Sequence, residues 1–100
     1  MDAATQDIGN RQKAAEALGE LTRALAERGF AARIVNSQTE PPFVRATSRV
    51  AAQLSENVRC GPGEGGELWF RYSWGDPIAP VRHVDSAAQR VGHILTPQRM

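Results

Sequence analysis

A chain of 100 residues is long enough for one domain with a modest core, and too short for a deep catalytic cavity beside a cofactor domain. Its 41% hydrophobic and 23% charged residues are the proportions of a globular chain, not a disordered one. Twelve basic against eleven acidic residues leave a net charge of +1, which gives no electrostatic reason to expect nucleic acid or an anionic membrane as partner. Cys60 is the only cysteine, so neither an internal disulfide nor a cysteine-based metal site can form within one chain, and a reducing cytoplasm suits it. The first ten residues lack the basic flank and apolar run of a signal peptide, and no stretch approaches the roughly 20 apolar residues of a membrane span.

Residues 1–8 read as a disordered tail before a single α+β domain over 9–96. A helix is predicted from Gly9 or Asn10, with Asn10 as its cap and Ala14, Leu18, Leu21 and Leu25 on one stripe. Arg28 falls in its last turn and Gly29 at the C′ position. Phe30 to Val35 reads as a strand with Phe30, Ala32 and Ile34 on one face. Pro41-Pro42 then forbids both a helix and central-strand pairing. Phe43 to Thr47 is a short second strand in which Phe43, Arg45 and Thr47 alternate with Val44 and Ala46. Ser48 to Glu56 fits an irregular or single-turn helical segment, because an inward-pointing Glu56 counts against a strand. A further strand is expected from about Asn57 to Cys60.

Gly61-Pro-Gly-Glu-Gly-Gly66 is a hairpin connection and not a phosphate cradle, since no lysine and no helix follow it. Leu68 to Trp74 is the strongest strand. Alternation puts Leu68, Phe70, Tyr72 and Trp74 on one face, and Glu67, Trp69, Arg71 and Ser73 on the other. Gly75 to Pro80 is expected to leave the sheet as an extended exit. Asp85-Ser86 should cap a final helix with Ala87, Ala88, Val91, Ile94 and Leu95 inward; Pro97 stops it and 97–100 fray. The sum is an α+β two-layer sandwich in α-β-β-β-α order, with a three- or four-stranded antiparallel sheet and a helix at each end.

Reactive chemistry is thinly represented. Cys60, His83 and Asp85 are the only conceivable nucleophile–base–orienter set, and nothing in the sequence requires them to meet. A small apolar cysteine and a loop histidine account for the first two, and a helix cap for Asp85. His83 and His93 are ten apart without a ligand at i+3 or i+4, so no metal site is expected, nor any cofactor or catalytic residue. Trp69 and Arg71 stand out instead. Opposite the core face they are an exposed aromatic–cation pair of the kind that anchors an interface, with Ser73 beside them. Stacking on an oligonucleotide is conceivable there, but no other basic residue lies on that strand.

The run Leu-Trp-Phe-Arg-Tyr-Ser-Trp-Gly-Asp-Pro-Ile-Ala-Pro (68–80), followed by an alanine-rich terminal helix, resembles a group of small actinobacterial α+β proteins whose aromatic strand ends in Ser-Trp-Gly-acidic-Pro-Ile. The similarity runs from the first helix to Leu95 and is distinctive only over 68–80, where the group carries more tryptophan than Phe70, Arg71 and Tyr72 here. It implies a similar domain in a bacterial cytoplasm and brings no activity with it. The expectation is a non-enzymatic interaction or accessory module that binds a protein partner or itself, as a homodimer, through Trp69, Arg71 and Ser73 or by β-edge pairing. The alternative is a small-molecule binder whose pocket, between the aromatic strand and the last helix, is lined by Trp74, Asp76 and His83.

Overall fold

The leucine stripe of the N-terminal segment forms a helix, α1 (Ala3–Glu27), that buries Leu18, Leu21 and Leu25 with Ala17 and Ala24 beside them. In the computed structural model, which describes residues 3–96, this helix starts well before Asn10. Asn10 therefore lies inside it and not at its start, and the segment expected as a tail is helical from Ala3, because Ala-Ala-Thr-Gln-Asp-Ile contains no breaker. Arg28 lies just past the helix. Gly29, at φ 92°, donates to Ala26 O and Phe30 N donates to Leu25 O, the paired bonds of a Schellman stop.

Five strands follow: β1 (Ala31–Val35), β2 (Phe43–Thr47), β3 (Ser55–Pro62), β4 (Leu68–Tyr72) and β5 (Pro77–Pro80). They pair antiparallel in chain order, each with the next. Sheet and flanking helices match the predicted α+β layering, with five strands where three or four were expected. Residues opposite one another share a face, and one face carries Ile34, Val44, Val58 and Tyr72 in one row and Cys60, Phe70 and Ala79 in another. Against it α1 packs on β1, β2 and β3 and also on α2 (Val84–Ile94), which covers β5. The core lies between these layers. Phe70, Val44, Val58 and Val91 are wholly buried there with the α1 leucines, each contributing about 1.5–3 kcal/mol.

Three local expectations change. β3 starts at Ser55, so Glu56 is in a strand and in register with Ala46 on the helix side. Its carboxylate is accommodated because Oε1 accepts bonds from the Ser73 hydroxyl (2.7 Å) and the Asn57 N–H (2.9 Å). The segment between β2 and β3 is irregular, one of the two forms expected, with Leu54 N donating to Ala51 O across a turn. Ser48, buried, accepts Ala51 N on its hydroxyl and donates its own N–H to Leu54 O, closing an irregular loop with Val50 exposed.

The second change concerns the aromatic strand, which stops at Tyr72. Tyr72 N donates to Asp76 O and Gly75 N to Tyr72 O, so Ser73-Trp74-Gly75 is a three-residue hairpin loop with Gly75 at φ 102°. Trp74 is thereby removed from the core face and is 56% exposed, stacked on Tyr72 with ring centroids 4.5 Å apart. The predicted exit is instead β5. Its two prolines are tolerated because it is an edge strand that needs N–H donors on one side only.

Lastly, α2 starts at Val84 behind His83, which makes no side-chain cap. Asp85 lies within the first turn, where its charge suits the helix dipole. Ala87, Ala88, Val91 and Leu95 face inward as predicted, while Ile94 is 40% exposed. The frayed end expected over 97–100 lies outside the described residues.

Candidate functional site

Both helices lie on one face of the sheet, and among the described residues no element covers the other. The register assigns that face residue by residue. Arg33 is opposite Arg45, and Arg45 opposite Asn57; Val35 is opposite Phe43; Arg59 is opposite Arg71; Gly61 and Pro80 flank Trp69. None of these side chains is buried. Trp69 and Arg71 are thus on the uncovered face, as the alternation of β4 predicts.

The neighbours that join them were not legible in the sequence. One arginine comes from each of β1, β2, β3 and β4, so four of the twelve basic residues converge on one surface. The only acid in any of the five strands is Glu56, and it points to the helix side. The chain's near-neutral balance is an average over a molecule with one strongly basic face.

Two of the arginines are held in place. Arg59 pairs with Glu40 at 2.6 Å and its guanidinium lies over the Phe43 ring, 4.8 Å from the centroid. Arg71 donates to the carbonyls of Gly75 (3.1 Å) and Pro62 (3.3 Å). Arg33 and Arg45 have no ion-pair partner among the described residues, although they stand directly opposite each other. Like charges so placed destabilise a sheet. Trp69 lies against Gly63 in the β3–β4 connection, where even a methyl group would overlap the indole. Only a glycine leaves room for the ring there.

Ser73 has left the strand and belongs to the hairpin loop, where its hydroxyl is committed to Glu56. Trp74, Asp76 and His83 are not brought together. The first two are in or beside the β4–β5 loop, whereas His83 lies beyond the far end of β5. The shallow cleft between that hairpin and α2 is lined by Tyr72, Pro77, Gln89, Arg90 and His93. Arg90 is tied across it to the carbonyl of Ile78.

Cys60 faces the helix side opposite Phe70 and is half-buried, and burial raises its thiol pKa from 9.0 to about 11. This is the reverse of the activation a nucleophilic thiol needs. No hydrogen bond joins it to His83 among the described residues. No group of three or more His, Cys, Asp or Glu side chains there is placed to hold a metal ion, and no helix is long and apolar enough to cross a membrane. Compared with family models, curated proteins and solved structures, the chain matches none.

Proposed function

We propose that the chain is a non-enzymatic binding module that engages its partner through the open face of the sheet. The observation that carries this reading is the arrangement of Arg33, Arg45, Arg59 and Arg71 with Phe43 and Trp69 on a face that no element covers among the described residues. A partner of complementary charge offsets the repulsion that this array costs the free protein. The same array opposes a homodimer formed face to face, because a two-fold contact would set arginine against arginine. Self-association, where it occurs, is assigned to the edge of β1, which presents Ile34 and unpaired backbone groups; the β5 edge is blunted by Pro77 and Pro80. A bacterial cytoplasmic setting for this role is the one that the resemblance of residues 68–80 implies.

The test is capture from a lysate on three immobilised proteins: wild type, a Trp69→Ala/Arg71→Gln double variant, and Trp74→Ala. Trp74 is exposed on the hairpin loop and serves as the off-face control. Material retained by wild type and by Trp74→Ala, and lost from the double variant, is the expected result. Equal recovery on all three refutes the reading.

A further inference from the structure

We infer that the occupant of the open face is single-stranded RNA. This rests on the reading of that face as the binding surface, and it departs from what the overall charge balance suggests. Three features point to it. The first is charge complementarity: four arginines converge, one of them countered by Glu40, and no strand acid faces them. Neighbouring strands are about 4.8 Å apart, so the array from β1 to β4 spans roughly 14 Å, a track for a backbone and not a pocket for one ion.

Second, planar groups lie on and beside this face. The Arg59 guanidinium lies over the Phe43 ring, 4.8 Å from its centroid, and the half-buried indole of Trp69 packs against Gly63. Unstacked bases pile on such surfaces, whereas a duplex hides its base faces and an acidic peptide has none to offer. Third, the same face carries polar side chains beside Arg45. Asn57 is opposite Arg45, and Thr47 is opposite Ser55; these are groups that can bond a ribose 2′-hydroxyl.

The full chain is titrated, by fluorescence anisotropy, into a fluorescein-labelled mixed-sequence 12-mer RNA between 50 and 200 mM KCl. Parallel arms use the DNA of the same sequence, the RNA duplex, and labelled polyglutamate. Binding of the single-stranded RNA is expected with a Kd of about 10⁻⁶–10⁻⁴ M and, for three phosphate contacts from the arginines that Glu40 does not counter, a log–log salt slope of about −2.1. Arg33→Gln/Arg45→Gln should reduce that slope to about −0.7 and weaken binding at 50 mM salt at least 10-fold. Trp69→Ala should weaken it roughly 5- to 150-fold, the range for one lost base stack.

DNA bound as tightly as RNA overturns the RNA assignment, and duplex or polyglutamate bound as tightly overturns the stacking that supports it. No RNA binding at all overturns the proposal outright. If lysate capture nevertheless still depends on Trp69 and Arg71, the binding-module reading stands without it. If that capture is lost as well, both fall.

Discussion

Replacing Arg45 by glutamine removes one member of the Arg33–Arg45 pair and leaves the β1–β2 hydrogen bonds untouched. Side chains directly opposite in an antiparallel sheet have Cβ atoms about 4.5–5.5 Å apart. Guanidinium groups splayed to roughly 7 Å repel by about 0.6 kcal/mol in water. Neither arginine has an ion-pair partner among the described residues to set against this, so Arg45→Gln should stabilise the free protein by about 0.5 kcal/mol at low salt, within the range seen for such pairs. For a domain of this size that is a rise in Tm of about 2–4 °C. The paired assay is thermal unfolding followed by circular dichroism in 10 mM and 1 M salt. At 10 mM the Debye length is about 30 Å and the repulsion survives, whereas at 1 M it is about 3 Å and the difference between variant and wild type should vanish. Arg71→Gln is the control of opposite sign, because it forfeits bonds to the carbonyls of Gly75 and Pro62. If wild type is the more stable at low salt, or the gap persists at 1 M, the open face is not electrostatically strained and the case for a compensating anionic partner weakens.

The other expectations concern the aromatic hairpin and the cysteine. Gly63→Ala forces the Trp69 indole from its seat and should cost about 1–3 kcal/mol in urea unfolding, with a shift in tryptophan emission; an unchanged spectrum would mean the ring does not lie there. Trp74→Ala removes only the exposed stack on Tyr72, worth about 0.5–1.5 kcal/mol, and the domain should stay folded; global unfolding would return Trp74 to the core. With its pKa raised from 9.0 to about 11, Cys60 should react with iodoacetamide at pH 8 about 100-fold more slowly than in the unfolded chain, the rate climbing until pH passes about 11. The protonated thiol is the form the fold favours, so this group's contribution to stability is complete below pH 9 and is lost as pH rises towards 11. Rapid alkylation at pH 7 would contradict that burial.

Much of the fold was written in local periodicity. Leu18, Leu21 and Leu25 recur at helical spacing, and so do Ala87, Ala88, Val91 and Leu95; all are buried. Val44 and Ala46 alternate with Arg45, and Phe70 with Trp69 and Arg71, as two-fold strand geometry demands. Periodicity failed where turn chemistry overrides it. The alternation of β4 runs on through Trp74, but Gly75 takes a left-handed conformation and folds the chain back at Tyr72, so the second tryptophan goes to solvent. Trp-Gly-Asp-Pro was the available signal, a turn dipeptide at hairpin spacing. β5 was hidden because Pro-Ile-Ala-Pro has neither alternation nor the donors of a central strand, and only an edge position makes it one.

The candidate site divides the same way. Each arginine of the open face could be assigned an outward direction from its own strand at most. Arg33, Arg45, Arg59 and Arg71 are separated along the chain by twelve, fourteen and twelve positions, and only the pairing register brings them side by side. Charge counted along a sequence sums the whole molecule, whereas charge felt by a partner is set by which residues share a face. The sequence alone determined the layers and most of the core, because burial follows local period. The tertiary structure decided where the positive charge gathers, because register is a property of pairs of strands.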